Sequence, residues 1–407
     1  MSLSHRCWAE IDLNALRNNL AWLRHRIGSG NQILTVVKAD AYGHGLKQIA
    51  ALLMQAGTDI FGVANLNEAK DIRAVGRGWP ILMLGACLPD EIEYAIKDKV
   101  MPTLSSLTEA KRFSTIAKKL NRSTQAHLKI DTGMGRLGAT TEQTSDLVQA
   151  IKQLPNLSLN GIYTHYASAE DNVTFSKRQR TVFAKLLKSI DHQFEFTHAN
   201  NSAALLHEPG STYNLVRPGL LVYGVLPPGK RNPPKLIKKH LQPALSWKCR
   251  VSFLKDIAKG TPLSYGQKYV SPKKMRVATL SVGYGDGYLA SASGKAKVII
   301  GGKLCNILGR ITMDQMLADV SRVPSIRNGD EAVLIGRNHG HCITANQVAE
   351  WAGTIPWEIL CSFKNRLPTQ SRVVRTTLLF DAPDLAKLID LLLLLFLDSK
   401  HDSVFKN

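Results

Sequence analysis

Short apolar runs alternate with amphipathic stretches over residues 10–240 of the chain. The runs have the length and β-branched character of buried strands, and the stretches between them, such as residues 46–56, 109–120 and 174–190, have the apolar spacing of helices. Eight strands with intervening helices predict an α/β fold, a closed (β/α)8 TIM barrel rather than an open doubly wound sheet. The predicted strands are residues 33–38, 60–64, 81–85, 100–104, 126–131, 160–165, 195–198 and 214–217.

The pattern changes after the proline-rich residues 227–234. Apolar runs beyond this point are bounded by Gly and Asp and show little helical periodicity, which predicts a C-terminal, mostly antiparallel β domain. We expect the barrel to occupy residues 10–240 and the β domain residues 241–380, joined by residues 1–9. The leucine-rich tail at 381–407 has a helical pattern and either caps the core or forms an interface. The predicted strands of the β domain include residues 277–282, 296–300, 303–307 and 331–335.

The composition is that of a globular protein, with 44% hydrophobic and 21% charged residues among 407. The net charge of +20 is unusual, but lysine and arginine are spread through the helical stretches rather than gathered in one arm. A solvated basic surface is the simpler interpretation, since no zinc-finger, RNA-binding or basic-zipper pattern occurs. The chain starts without an apolar signal core, and the run 388–397 is shorter than the roughly 20 residues of a membrane span. We expect a soluble, cytoplasmic protein that binds neither nucleic acid nor membrane.

The six cysteines are scattered and form no C-x-x-C pair. In a chain of this length that pattern predicts reduced thiols rather than a disulfide framework. His339, His341 and Cys342 are close in sequence, but a glycine-containing turn explains them more simply than a metal site. We predict no metal.

Charged and polar residues cluster where the predicted barrel strands end. An enzyme with this fold carries its chemistry there, in the βα loops. A lysine among apolar and cationic neighbours has a lowered pKa and can act as a Schiff-base nucleophile, a role open to Lys38. Gly219 and Leu220 follow the last strand, where barrels commonly bind phosphate, so pyridoxal 5'-phosphate (PLP) is the indicated cofactor. The residues at the strand ends are Lys38, Lys129, Asp131, Arg136, His165, Asn201, Ser202 and Arg217.

Eight short segments carry a family resemblance. They are VVKADAYGHG (36–45), KIDTGMGRLG (129–138), YTHYA (163–167), HANNSAA (198–204), VRPGL (216–220), SYG (264–266), GYGDGY (283–288) and GRITMD (309–314). In this order and spacing they resemble segments of alanine racemases, and the similarity extends over residues 7–375. The resemblance implies a barrel plus a β domain, in a head-to-tail homodimer whose active sites combine both subunits. It also implies interconversion of L- and D-alanine, with D-alanine supplied to peptidoglycan.

The resemblance assigns proton transfer to two residues. Lys38 binds PLP covalently and then acts as the base on the D-alanine side, while Tyr265 acts on the L-alanine side from the other subunit. Two groups on opposite faces are what racemisation needs. An isolated tyrosine has a pKa of about 10, so Tyr265 needs a neighbouring group in order to ionise. His165, which would lie between Tyr265 and Arg217, would be that group. Arg217 stays protonated and would face the pyridine nitrogen, leaving that nitrogen without its own proton.

The resemblance also assigns the substrate and phosphate contacts. Arg136 would pair with the substrate carboxylate and the phenolic oxygen of PLP, and Lys129, commonly carbamylated in the family, would orient it. Met313 would offer its backbone N–H to the substrate carboxylate, with Thr312 and Asp314 supporting its loop. The other contacts would come from Tyr42, Ser202, Gly219 and Leu220 at the phosphate and from Tyr284 at the entrance.

Two positions depart from the family pattern. Thr312 stands where cysteine is frequent, and we expect little effect because the contact there comes from the backbone. Trp357 stands where many members have a phosphate-binding tyrosine, and no tyrosine follows Tyr288 to replace it. An indole N–H only donates, so we expect altered cofactor retention or substrate tolerance from Trp357, with the fold and the reaction intact.

Other functions stay open at this point. The closest alternative is a racemase that acts on serine or on several amino acids. A decarboxylase with a similar barrel fits less well, because segments 264–266 and 309–314 are racemase-like. A non-catalytic PLP carrier would resemble the barrel alone, so the second domain disfavours it.

Overall fold

The computed structural model describes residues 5–208, 213–231, 235–363 and 366–372. The chain up to Arg372 forms one compact unit. The predicted tail at 381–407, and the predicted β domain beyond Arg372, lie outside the described residues. The domain boundaries proposed above therefore stay a prediction.

The strands and helices of the described residues are as follows. The strands are β1 (Cys7–Asp12), β2 (Gln32–Val36), β3 (Ile60–Val63), β4 (Ile81–Met83), β5 (Val100–Met101), β6 (Thr103–Leu104), β7 (Thr124–Lys129), β8 (Leu157–Tyr163), β9 (Phe196–Asn201), β10 (Leu215–Arg217), β11 (Leu245–Ile257), β12 (Pro262–Leu263), β13 (Tyr269–Val270), β14 (Met275–Leu280), β15 (Lys297–Ile300), β16 (Lys303–Leu308), β17 (Met316–Asp319), β18 (Glu331–Asn338), β19 (His341–Ile343) and β20 (Thr369–Arg372). The helices are α1 (Leu13–Ile27), α2 (Lys38–Gly43), α3 (Leu46–Ala56), α4 (Leu66–Val75), α5 (Ile92–Lys97), α6 (Leu107–Lys119), α7 (Thr144–Lys152), α8 (Val173–Ser189), α9 (Ser202–His207), α10 (Lys235–His240), α11 (Ala345–Ala352) and α12 (Pro356–Cys361).

The strands from β2 to β10 form a parallel ring. Their order is β5-β4-β3-β2-β10-β9-β8-β7-β6. β5 and β6 are two parts of one strand on either side of Pro102, and they pair with β4 and β7 respectively, so the ring closes. Proline interrupts the strand there because it lacks a backbone N–H. The predicted α/β fold with a (β/α)8 TIM barrel is confirmed, and all eight predicted strands are present.

A second sheet follows the barrel in sequence and contains β1 as well. Its order is β19-β18-β15-β16-β17-β14-β11-β1-β20, and its pairings are antiparallel except for β1 with β20. The predicted, mostly antiparallel C-terminal β domain is confirmed. The 13-residue β11 was not among the predicted strands. Register shifts let it pair with β1, β14 and β18, so it joins parts of the sheet that lie far apart in sequence.

Helix α12 brings the end of the β domain back to the barrel. It contacts α2, which begins at the end of β2. The approach is close, because a Cβ built on Gly43 would lie 2.0 Å from the carbonyl oxygen of Leu360. Only glycine is tolerated at such a position. The contact places Trp357 beside the first strand end of the barrel.

Three further predictions concern cysteines, turns and membranes. The six cysteines are free, as expected. His339 and Gly340 form the turn of the hairpin between β18 and β19, as expected from the glycine. Among the described residues, no helix is both long and apolar enough to span a bilayer.

Candidate active site

A cavity of about 690 Å³ opens at the carboxyl ends of the barrel strands. This is the face where enzymes with this fold place their chemistry. The predicted site residues that line it are Lys38, Tyr42, Lys129, Arg136, His165, Ser202, Arg217, Gly219, Leu220 and Trp357. The tertiary structure therefore brings ten predicted residues from distant parts of the sequence to one space.

Lys38 starts an unusual turn. The four residues Ala39–Tyr42 all have left-handed backbone torsions, with φ between 52° and 55°. Residues with a Cβ lose about 1–2 kcal/mol each in that region, so the turn needs support from outside. Asp40 Oδ1 accepts from the backbone N–H of Leu46 at 2.7 Å. His44 is buried and donates from Nδ1 to the carbonyl oxygens of Ala41 and Tyr42.

Burial and a nearby arginine both act on the amine of Lys38. Burial is the main cause of its lowered pKa, and the charge of Arg136 lowers the pKa further. A lowered pKa keeps a larger fraction of the amine unprotonated near neutral pH, which is the form that attacks a carbonyl.

Arg217 is buried at the end of β10. Its Nη2 donates to the carbonyl oxygens of Thr164 and Ala199 at 2.8 and 2.9 Å, and lies 3.2 Å from His165 Nδ1. Its Nη1 lies 2.8 Å from His198 Nδ1. Burial lowers the pKa of Arg217 to about 10, so the guanidinium keeps its charge at neutral pH.

The contacts of Arg217 fix the protonation of three histidines. A guanidinium only donates, so His165 and His198 accept at Nδ1 and carry their proton on Nε2. His198 Nε2 in turn donates to His127 Nδ1 at 2.8 Å. Burial, followed by the charge of Arg217, lowers the pKa of His165 and His198 well below the usual value and that of His127 to about 3. Among these hydrogen-bonded side chains, the positive charge therefore stays on Arg217.

Arg136 lies on a tight loop after β7. Asp131 Oδ1 accepts from the backbone N–H groups of Gly133 and Met134, both at 2.8 Å, and Oδ2 accepts from Gly135 at 2.9 Å. Three bonds to one carboxylate fold the loop back onto the strand end. The loop thereby carries Arg136 to the lining of the cavity.

Lys129 is a buried cation among other cations. It is 3% exposed, and its Nζ lies 4.7 Å from the centroid of the Tyr163 ring. Burial, then the charges of Arg217 and Arg136, lowers the pKa of Lys129 to about 7. A substantial fraction of this amine is therefore neutral at physiological pH and has a free lone pair.

Gly219, Ser202, Tyr42 and Trp357 form a compact cradle at one side of the cavity. The backbone N–H of Gly219 donates to Ser202 Oγ at 2.9 Å. A Cβ at residue 219 would lie 2.6 Å from Tyr42 Oη, so glycine is required for the tyrosine to approach. Burial raises the pKa of Tyr42, and a side-chain hydrogen bond with Trp357 opposes that shift. The indole N–H donates in that bond, because it has no acceptor.

The other predicted residues lie on loops of the β domain, outside the lining of this cavity. Tyr265 is 70% exposed and Met313 is 53% exposed. The backbone N–H of Tyr284 donates to the Thr312 carbonyl at 3.0 Å, which joins two of the loops. The Thr312 hydroxyl also donates to the carbonyl of Gln315 at 2.7 Å, so this residue shapes the turn around Met313.

Arg366 ties the same loops together. Its guanidinium bonds Asp286 Oδ1 and Asp314 Oδ1, each at 2.9 Å, and donates to the carbonyl oxygen of Met313 at 3.2 Å. Asp286 also accepts from the backbone N–H of Gly283 at 2.9 Å. One arginine thus connects segments 283–287 and 312–314.

Known proteins share this architecture over nearly the whole chain. The family model "Alanine racemase, N-terminal domain" matches residues 11–227, and the family model "Alanine racemase, C-terminal domain" matches residues 244–371. An alanine racemase of Halothermothrix orenii is 38% identical over 89% of this chain and 96% of its own length. One from Methylacidiphilum infernorum is 39% identical over 89% of this chain and 92% of its own. The solved alanine racemase of Clostridium difficile 630 superposes with a TM-score of 0.86 at 32% identity, covering 92% of this chain and 98% of that one.

The chain belongs to the alanine racemase family. The resemblance stated from the eight segments is therefore confirmed. Individual residue roles carried over from the family stay predictions. No group of three or more His, Cys, Asp or Glu suited to a metal ion occurs in the described part of the chain.

Several residues that shape the site were missed by sequence reasoning. Glu68 bonds the Lys38 turn, and its only signal was a helix-capping pattern with Asn65. His127 and His198 support Arg217, yet a histidine in a buried strand is usually structural. Arg366 had no signal, since an isolated arginine near a chain end is ordinarily solvated.

Proposed function

We propose that this member of the alanine racemase family interconverts L- and D-alanine with PLP as cofactor and supplies D-alanine to peptidoglycan. The observation that carries the proposal is the cavity that joins Lys38, Arg136, His165 and Arg217 at one face of the barrel. Racemisation removes a proton from one face of Cα and delivers a proton to the other. The site must therefore hold a reactive amine, an anion-binding arginine and a second proton-transfer group.

The residues present fit PLP. Gly219 has no side chain, so the Tyr42 hydroxyl can lie against the backbone that follows the last barrel strand, where enzymes of this fold commonly bind a phosphate. Tyr42, Ser202, Gly219, Leu220 and Trp357 would hold the phosphate, and Lys38 would bind the aldehyde carbon. When bound, PLP supplies the electron-withdrawing ring that makes the Cα proton of an amino acid removable.

Arg217 would face the ring nitrogen of the cofactor. It remains protonated, since its pKa of about 10 lies well above neutral pH. It would therefore donate a hydrogen bond to that nitrogen and leave it without a proton of its own, so the bound ring would take up less negative charge. Side reactions that need a fully delocalised charge would be disfavoured.

Lys38 and Tyr265 would exchange the Cα proton. The Lys38 amine, released when the amino group of the substrate takes its place on the cofactor, would accept the proton on the D-alanine face, and Tyr265 of the partner subunit would serve the L-alanine face. His165 has its proton on Nε2 and can donate to the tyrosine oxygen, which stabilises the ionised form of Tyr265. Because Tyr265 lies outside the cavity of its own chain, we propose a head-to-tail homodimer as the active form.

The β-domain loops would complete the substrate site. Arg136 would pair with the substrate carboxylate, and the backbone N–H of Met313 from the partner would add a second contact. Thr312 and Asp314 would fix that loop, and Tyr284 would line the entrance. Lys129 would orient Arg136 as a carbamate, formed when its neutral amine adds CO2 and releases one proton to solvent.

Chiral chromatography of reactions with L-alanine, L-serine and a panel of other L-amino acids tests this function. We expect D-alanine as the main product. D-serine formed at a comparable rate would point to a broader racemase, and no D-amino acid at full PLP occupancy would contradict catalysis. A cytoplasmic location is part of this proposal.

A further inference from the structure

Glu68 bridges two neighbouring βα loops with its two carboxylate oxygens. It lies in the first turn of α4, whose N-cap is Asn65. Its Oε2 accepts from the backbone N–H of Ala64, at the end of its own strand, at 2.7 Å. Its Oε1 accepts from the backbone N–H of Ala39, in the loop that follows the previous strand, also at 2.7 Å. Residue 39 is the immediate neighbour of Lys38.

A second capping glutamate in the barrel shows what a cap alone requires. Glu109 occupies the same place in α6, whose N-cap is Ser106. Its Oε2 accepts from the N–H groups of Ser105 and Ser106 at 2.6 and 3.0 Å, both in its own loop. Helix capping therefore accounts for the bond between Glu68 and Ala64. The bond between Glu68 and Ala39 is not part of the cap, because it reaches a different loop.

The Ala39 bond acts on the position of Lys38. The N–H of Ala39 lies in the same rigid peptide plane as the carbonyl and Cα of Lys38, so holding that N–H limits rotation of the plane. Ala39 is also the first of the four left-handed residues, and a strained segment persists only where its surroundings fix it. The negative charge of Glu68 also opposes the lowering of the Lys38 pKa by burial and Arg136.

We propose that Glu68 is a positioning residue that holds Lys38 at the cavity through the peptide bond between residues 38 and 39. This role rests on the proposed function, in which Lys38 binds PLP. Glu68 itself is not among the residues that line the cavity.

The full-length, PLP-loaded protein tests the proposal in the variants Glu68→Gln and Glu109→Gln. A glutamine has one acceptor oxygen and cannot accept the two backbone bonds that Glu68 accepts with separate oxygens. We expect hydroxylamine to displace PLP roughly three- to tenfold faster from Glu68→Gln than from wild type, as follows from losing one charge-assisted hydrogen bond. Glu109→Gln is the matched control and should stay within about twofold, because the single amide oxygen of a glutamine can still accept both bonds of this cap.

Hydrogen exchange gives a readout that does not depend on activity. Backbone amides of residues 38–45 should exchange faster in Glu68→Gln, while those of residues 105–110 should exchange at close to the wild-type rate in Glu109→Gln, which keeps its cap. If Glu68→Gln released PLP at the wild-type rate and its backbone amides at 38–45 exchanged at the wild-type rate, the proposal would be overturned. If Glu68→Gln does not fold, Glu68→Asp replaces it, because the shorter side chain keeps its charge but cannot span both loops.

Failure of this role and failure of the proposed function give different results. Borohydride reduction and peptide mapping of the wild-type protein locate the bound PLP. Absence of PLP from Lys38 would contradict the proposed function itself. PLP on Lys38 with identical behaviour of the two glutamine variants would contradict only the role of Glu68.

Discussion

The barrel half of the site and the β-domain half differ in how they are held. At the barrel rim, Arg217 and Lys129 are buried, and Arg217 is bonded to histidines and carbonyls from several strands. On the β domain, Tyr265 and Met313 are largely exposed, and Arg366 ties the Met313 loop through bonds at the surface. Burial lowers the pKa values of the cations at the barrel rim, whereas the exposed loops of the β domain would act on a site that another chain provides. The first half prepares the chemistry, and the second half would complete a neighbour's cavity.

Subunit complementation tests this division most strongly. Tyr265→Phe should lower racemisation about 10³-fold while leaving the fold and PLP binding intact, since the Tyr265 side chain is 70% exposed. Lys38→Ala should be inactive as well. Coexpression of the two variants should restore about a quarter of wild-type activity, because half of the dimers contain one intact site.

The complementation assay needs heterodimers isolated with two different tags. Tyr94→Phe, at another exposed tyrosine outside the cavity, is the control and should keep wild-type activity. Isolated heterodimers without any recovery would refute a site shared between subunits.

Loosening the β-domain loops should have the next largest effect. In Arg366→Gln the ion pairs with Asp286 and Asp314 are lost, so the Met313 loop becomes less well positioned. We expect KM for alanine to rise roughly tenfold with kcat changed by less than about threefold, as for an interaction worth about 1.4 kcal/mol. Steady-state kinetics measure this. Arg276→Gln, which removes a bond to the Pro324 carbonyl, serves as the control, and an equal KM change in both variants would count against the loop argument.

The buried charge of Lys129 should appear in the pH dependence of stability. Its pKa is lowered from 10.5 to about 7 in the folded protein, so the folded state binds fewer protons than the unfolded state between these values. The resulting penalty is full below pH 7 and fades as the pH rises towards 10.5. In CO2-free buffer, Lys129→Met should therefore raise Tm by about 5 °C at acidic pH and by progressively less at alkaline pH.

Bicarbonate sharpens the same experiment. A carbamate on Lys129 would be an anion beside Arg136, so wild type should gain stability on adding bicarbonate and Lys129→Met should not. Differential scanning calorimetry measures both arms. If the Tm difference between wild type and Lys129→Met changed with neither pH nor bicarbonate, the charge argument would be contradicted.

The smallest effect is expected at Trp357. Trp357→Tyr should change the dissociation constant of PLP by about two- to fivefold, because the indole bonds Tyr42 where a phenol would offer an acceptor as well. Fluorescence titration of the apoprotein gives the constant. Trp351→Tyr, on the preceding helix, is the control, and identical constants for Trp357→Tyr and wild type would show that the departure has no consequence.

The sequence by itself determined the barrel, the β domain and the identity of the strand-end residues. Hydrophobic periodicity is local, so it can be recognised before the fold is known, and parallel strands necessarily bring their carboxyl ends to one face. Lys38 and Arg217 could be placed at that face for this reason. The long β11 was not predicted, because it pairs with three strands that are distant in sequence, two of them with a register shift.

Only the tertiary structure decided which side chains bond one another. Glu68 reaches Ala39 across 29 residues, and His127 meets His198 across 71, distances over which no sequence periodicity carries information. The exposure of Tyr265 could not be predicted from the sequence either, since it depends on which loops the sheet leaves uncovered. Hydrogen bonds and burial act through space, so the protonation states of the buried histidines became apparent only from the folded chain.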